Sequence, residues 1–236
     1  MRWGVLMQTQ KPSKARISLA LISILFLPVA LLYISGNWFW IQGWIFSLWL
    51  VALCYAIFIY MYFYDPALLE ERYKQPGSEG EKGWDKYFIY LLDVSFTLWF
   101  VIMPLDQRFN WTTNFPLYLE ALGLIFLGAC FFLFLKSYME NTFLSPMVRI
   151  QKERGQKVVS TGVYGLIRHP LYLGGILMFL GGPLLMGSIY GLMIGIFLSL
   201  SLVARIMGEE KMLVEELEGY SDYKNKVKYR LIPYIW

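Results

Sequence analysis

Four stretches of this sequence, residues 17–34, 38–62, 87–105 and 116–138, are long and almost free of charge. A fifth apolar run, Leu171 to Met207, is too long for one helix to cross a bilayer once. A spanning helix needs about 20 mostly apolar residues. In lipid the backbone must satisfy its own hydrogen bonds, which a helix does within a single segment. The composition agrees with a membrane chain. Of the 236 residues 57% are apolar and only 16% charged, against roughly 25% charged in a soluble domain. Disordered, collagen-like and disulfide-rich classes are excluded by the same figures, and no strand pattern occurs. The expectation is an all-α integral membrane protein.

The fifth run carries Gly181-Gly182-Pro183 and Gly187-Ser188, turn signals that divide it into a tight helical hairpin of two spans. Gly187, Gly191 and Gly195 on the second arm have the small-xxx-small spacing that lets helix backbones approach closely in lipid. That gives about six transmembrane helices. A four-span region over 1–138 precedes a segment over 139–236 that contains the hairpin and the tail. With six spans, 20 of the 21 Lys and Arg fall on one side and only Arg108 on the other. The positive-inside rule makes the crowded side cytoplasmic, with both termini there. Arg2, Lys11, Lys14 and Arg16 precede the first run, but no small-residue cleavage site follows it. It reads as an uncleaved first span. The chain is thus expected to be multi-pass, in a cell inner membrane, with its chemistry facing the cytoplasm.

Cys54 and Cys130 both sit inside apolar runs and His169 is the only histidine. Buried small hydrophobes explain the cysteines, and no zinc or iron site is expected. Phosphate-binding glycine loops are missing, and one histidine beside a proline has no serine or cysteine partner for a triad. The modest net charge of +4 gives no sign of nucleic acid. Asp93 and Glu120, near helix ends, read as interfacial or packing groups.

Two constellations remain. The first is Gly162 to Tyr172, Gly-Val-Tyr-Gly-Leu-Ile-Arg-His-Pro-Leu-Tyr, at the hairpin entrance. Pro170 suits the first turn of a helix, so Arg168 and His169 present a cation and a switchable donor at its N-terminus. The bland alternative is a snorkelling arginine beside an aromatic belt. The second is Arg205-Ile-Met-Gly-Glu209-Glu210, at the end of the last span. Arg205 and Glu209 share a helix face, which an exposed ion pair would also explain. However, an arginine after an uninterrupted apolar run costs a few kcal/mol, and a charge held at that depth marks a functional site. A tight hairpin returns Arg205 and Glu209 close to Arg168 and His169. Two cations, a carboxylate and tyrosines then line one pocket.

These residues carry a resemblance. The order Gly-x-Tyr-x-x-x-Arg-His-Pro-x-Tyr-x-Gly (162–174), then Arg-x-x-x-Glu-Glu-x-x-Leu (205–213) and Gly-Tyr-x-x-Tyr (219–223), resembles the isoprenylcysteine carboxyl methyltransferase family. The stretch 148–159, the ending Tyr229-Arg-Leu-Ile-Pro233 and the loop from Asp65 to Arg72 look like its prokaryotic members. The resemblance implies an integral membrane methyltransferase that holds S-adenosylmethionine between the Arg-His-Pro region, the hairpin and the tail. It implies cofactor contacts at Gln151, Gln156, Lys157, Val158 and Val159, where relatives usually have histidine in place of Gln156. It adds Tyr164, His169, Pro170, Leu171, Tyr172, Glu209 and the adjacent Glu210. Arg205, with Arg168 nearby, would face the carboxylate of a lipophilic or lipid-linked substrate.

The chemistry suits these residue types. Methyl transfer to an ionised carboxylate needs no general base, so positioning dominates. Arginine presents a fork to a carboxylate, and aromatic walls attract a sulfonium. An amine acceptor, as in a phospholipid N-methyltransferase, would need a base, for which His169 and Glu210 are the candidates. A nicotinamide-dependent sterol or lipid reductase is the nearest other enzyme class. It is similar in its Arg-His-x-x-Tyr element and its Tyr-Arg-x-x-Pro ending, but tends to carry Arg-Asp-Glu where this chain has Glu209-Glu210. A channel or scaffold would spread polar residues through several spans.

Overall fold

A computed structural model describes residues 14–74, 77 and 80–236, with side chains from residue 17 onward. The basic side chains at Arg2, Lys11, Lys14 and Arg16 therefore lie outside the described residues. The chain is helical, and among the described residues there is no strand. The elements are α1 (Lys14–Ser35), α2 (Ile41–Tyr64), α3 (Pro66–Arg72), α4 (Gly83–Phe109), α5 (Leu117–Glu140), α6 (Pro170–Met186), α7 (Ile189–Glu216) and α8 (Tyr220–Lys226).

Five of these helices, α1, α2, α4, α5 and α7, are long and apolar enough to cross a membrane. The sixth expected span, α6, has 17 residues. At 1.5 Å per residue it reaches about 26 Å, slightly short of a hydrocarbon core of about 30 Å. The chain is a multi-pass membrane protein.

The hairpin breaks only once. Gly187, with φ 68°, closes α6 in the left-handed conformation, and Ser188 caps α7 by accepting from Gly191 N at 3.0 Å. Gly181-Gly182-Pro183 was expected to help divide the run but lies inside α6. Its glycines make room for neighbours: a Cβ on Gly182 would meet Trp99 at 2.8 Å and Phe46 at 2.9 Å. Gly187, expected on the second arm's face, is the cap of α6 instead. The close approach of α6 and α7 centres on Gly195, where a Cβ would lie 2.1 Å from Phe179 O.

The core joins all the long helices. Leu31, Phe46, Leu50, Trp99, Met103, Leu127, Phe179, Leu185 and Leu198 are buried together. Trp99 Nε1 donates to Phe179 O at 3.1 Å, which satisfies the indole in lipid.

Polar contacts sort the loops to two ends. At one end Asp106 accepts from Thr112 N at 2.7 Å and Ser188 Oγ at 2.6 Å, and Arg108 Nη1 donates to Ile34 O at 3.3 Å. At the other, α3, Lys82, the 141–169 segment and the tail are cross-linked by hydrogen bonds, such as Lys82 N to Val148 O and Arg168 N to Tyr229 O. Every described lysine and arginine side chain except Arg108 belongs to this second end or to the helix turns leading into it.

Candidate functional site

A cavity of about 390 Å³ opens at the loop-rich end and runs down between the helices. Its upper wall is loop and tail: Phe143, Val148, Val158, Tyr164, Tyr220 and Tyr223. The lower wall is apolar and helical, with Ile89 and Leu92 of α4, Phe134 of α5, Met178 and Phe179 of α6 and Leu202 of α7. Asp93 also lines it.

Of the residues singled out from the sequence, Gln156, Lys157, Val158, Val159, Tyr164, Arg168, His169, Leu171, Tyr172, Arg205 and Glu209 line this one cavity. Gln151, Pro170 and Glu210 do not. Pro170 is the first residue of α6, as its fixed φ favours.

Gln151 is fully buried and does loop-closing work instead. Its Nε2 donates to Phe143 O at 2.6 Å, its Oε1 accepts from Arg154 at 2.6 Å, and its backbone N donates to Gln156 Oε1 at 2.7 Å. Both glutamine side chains thus pin the 143–156 segment that forms the cavity's upper wall.

Arg205 does not pair with Glu209, its neighbour one turn along. Its Nε and Nη2 clasp the Asp85 carboxylate at 2.8 and 2.9 Å, and Nη2 also donates to Pro146 O at 2.7 Å. Asp85 is fully buried and further accepts from Val148 N at 2.6 Å. The sequence reading missed Asp85 because it placed the start of this span at residue 87, which left Asp85 in a loop. Glu209 instead accepts a hydrogen bond from Tyr172 Oη through Oε2.

Glu210 is the hub of a buried ionic latch. Its Oε1 accepts from Arg168 Nε at 2.6 Å and lies 3.2 Å from His169 Nε2, while Oε2 accepts from Arg230 at 2.7 Å. Arg168 also donates to Val227 O at 2.7 Å, and His169 N donates to Arg230 O at 2.9 Å. The latch holds the tail across the mouth of α6. Glu210 therefore has both oxygens engaged and does not line the cavity, which argues against its expected roles as cofactor contact or base. Arg230 is engaged here and lies 4.9 Å from the Trp236 ring.

A second buried cluster ties α3 to the same wall. Glu71 accepts from Arg149 Nε at 2.9 Å and Nη2 at 2.7 Å and from Ser145 Oγ at 2.8 Å, with Lys74 Nζ at 2.8 Å. Burial alone would raise the Glu71 pKa, but the hydrogen bonds from Arg149, Lys74 and Ser145 outweigh it and lower it to about 2. Among the tyrosines, burial raises Tyr164 and Tyr220, and pushes Tyr223 up to about 12. All three are neutral hydrogen-bonding walls at physiological pH. Among the described residues the buried Tyr220 hydroxyl has no hydrogen-bond partner. Among the described residues no group of three or more His, Cys, Asp or Glu is arranged to hold a metal.

Comparison with known proteins places this geometry in context. Residues 118–218 match the family model described as phospholipid methyltransferase. The chain is 41% identical over 93 residues to the protein-S-isoprenylcysteine O-methyltransferase of Saccharomyces cerevisiae. That match covers 39% of this chain and 38% of the yeast protein's length. Among solved structures, a eukaryotic intramembrane Ras methyltransferase, isoprenylcysteine carboxyl methyltransferase, aligns over 95% of this chain and 88% of its own, with 18% identity and a TM-score of 0.47. The sequence matches bear out the resemblance that the Arg168-His169-Pro170 element carries. Over those 93 residues the chain is similar to the yeast isoprenylcysteine methyltransferase.

Proposed function

We propose that this protein is a membrane-embedded methyltransferase that uses S-adenosylmethionine to esterify the carboxylate of a lipophilic substrate. The observation that carries this reading is the two-part cavity, in which tyrosine-rich loops and an apolar cleft between spans meet at Arg205 and Glu209. A water-soluble cofactor and a lipid chain need that combination of walls in one chamber.

The residues fit the cofactor. The volume is within the range of small-molecule sites. Glu209 keeps Oε1 free of protein partners among the described residues, and Tyr220 offers an unpartnered hydroxyl. These groups suit the ammonium and hydroxyls of an adenosyl amino acid. When bound, S-adenosylmethionine supplies an electrophilic methyl on a sulfonium. The tyrosine faces favour that charge by cation–π attraction, and Glu209 adds a nearby negative charge.

Arg205 donates to the substrate acid, and the positive sulfonium of the bound cofactor offsets the cost of bringing that anion to membrane depth. Ile89, Leu92 and Met178 hold an apolar chain and keep water from the reacting atoms. An ionised acid needs no base, and Glu210, one of the two candidate bases, is held in the tail latch. An amine acceptor would have to use His169, which lines the cavity 3.2 Å from Glu210 Oε1. The segregation of Lys and Arg to the site's end supports a cytoplasmic-facing cavity by the positive-inside rule.

The test is methyl transfer from labelled S-adenosylmethionine by purified protein in detergent. The acceptors are an N-acetylated isoprenylcysteine, palmitate and phosphatidylethanolamine. The proposal expects base-labile methyl ester on an acid. Label on phosphatidylethanolamine alone would overturn the carboxylate assignment.

A further inference from the structure

Arg205 has five N–H donors, and the structure accounts for three of them. Asp85 takes one from Nε and one from Nη2, and Pro146 O takes the second on Nη2. The remaining two are both on Nη1, which has no partner among the described residues, while the side chain lines the cavity. Asp85 is itself fixed. It is fully buried in the first turn of α4, and Val148 N supplies a further hydrogen bond. One ion pair thus joins α4, α7 and the 146–148 loop, three walls of the chamber.

We propose that Asp85 is a positioning residue for ester formation: by occupying the fork of Arg205, it leaves only Nη1 to engage the substrate acid, through one oxygen. The inference rests on the carboxyl methyltransferase reading and explains which oxygen reacts. An arginine with an open fork binds a carboxylate by both oxygens at once. Each oxygen would then give a lone pair to the guanidinium, and both would be weaker nucleophiles. With the fork filled by Asp85, one substrate oxygen meets Nη1 and the other keeps its lone pairs. That second oxygen forms the new C–O bond to the methyl carbon while the C–S bond breaks, with its electron pair left on sulfur. Carboxylate and sulfonium become neutral ester and neutral thioether, and no proton moves.

The arrangement is a division of labour. Asp85 neutralises Arg205 in the resting protein, so the guanidinium is not an uncompensated charge at membrane depth. Nη1 remains a directed donor whose aim is set by two parallel hydrogen bonds behind it.

Asp85→Asn tests this, using whichever acid the wild-type protein esterifies. The amide cannot hold the fork with two accepted hydrogen bonds, so Arg205 is released to grip the acid by both oxygens. The expected result is a kcat lowered about tenfold or more, with KM for the acid unchanged or lower and S-adenosylhomocysteine affinity within about twofold of wild type. Equilibrium binding of the acid beside S-adenosylhomocysteine, which has no methyl to give, should be equal or tighter in the variant. A wild-type kcat, or a weakened acid affinity with kcat retained, overturns the inference and leaves the methyltransferase reading intact. If the wild-type protein esterifies no acid, that reading fails and this inference with it.

Should Asp85→Asn not fold, Arg205→Lys serves. Lysine keeps the ion pair with Asp85 but has no second nitrogen to aim at the cavity. Acid binding should weaken about tenfold or more, with S-adenosylhomocysteine binding retained. Wild-type acid affinity in Arg205→Lys overturns the role given to Nη1.

Discussion

Adjacent carboxylates in α7 have opposite assignments, and replacing each in turn separates the tail latch from the ligand site. In Glu210→Ala, Arg168, 3% exposed, loses its one carboxylate partner among the described residues. Breaking a buried pair from one side costs about 3–5 kcal/mol, because the surviving charge is left unpaired. Arg230 loses its partner too, but at 29% exposure water replaces it at little cost. The loss should appear first where the latch holds the chain. Residues 227–236 loosen, while Val148, Met212, Leu217, Tyr220 and Tyr223 keep α8 packed. Thermal unfolding in detergent reads the stability, and limited trypsin digestion after Lys226, Lys228 and Arg230 reads the tail. The variant should unfold at a clearly lower temperature and be clipped there faster than wild type. A wild-type midpoint with wild-type protection would refute the latch. Glu209→Ala removes one charge-assisted hydrogen bond with Tyr172, worth about 1.5–3 kcal/mol. Its midpoint should fall less than that of Glu210→Ala and its tail should stay protected, while S-adenosylhomocysteine affinity falls strongly.

Further expectations follow from the other buried groups. Glu71, lowered to about 2 from an ordinary value of 4.5, contributes stability that is present above pH 4.5 and is lost as pH falls toward 2. The full contribution is on the order of 3 kcal/mol, so Glu71→Gln should show a shallower acid-induced loss of stability than wild type between pH 4.5 and 2; parallel curves would contradict the cluster. Gly195→Leu forces a Cβ into Phe179 O, 2.1 Å away. Overpacking of this kind costs about 1–3 kcal/mol, and an unchanged midpoint would show that α6 and α7 are not in close contact there.

Much of this arrangement is legible in the residues. Apolar run lengths mark the spans, and alternate placement of loops gathers Lys and Arg at one end. The hairpin then brings Arg168, His169, Arg205 and Glu209 together, because two helices joined by a Gly-Ser turn must return side by side. What escapes a sequence reading is partner choice. Arg205 and Asp85 are 120 positions apart, and no local spacing links them. Trp84-Asp85-Lys86 looks like loop, yet it is the first turn of α4, where an acidic residue suits the helix dipole. Glu209 and Glu210 are equivalent in the sequence. A helix turns about 100° between them, so one faces the cavity and the other the tail. Gly181-Gly182-Pro183 looks like a break because glycine and proline interrupt soluble helices. In lipid, packing against Trp99 and Phe46 uses the missing side chains and keeps α6 continuous.

The central claim concerns what the chamber binds, and one calorimetric experiment addresses it: purified protein titrated with S-adenosylhomocysteine and, separately, with reduced nicotinamide dinucleotide phosphate. The account predicts saturable one-to-one binding of S-adenosylhomocysteine, greatly weakened in Glu209→Ala, and none of the nicotinamide. Binding of the nicotinamide alone would contradict it and make the protein a membrane reductase.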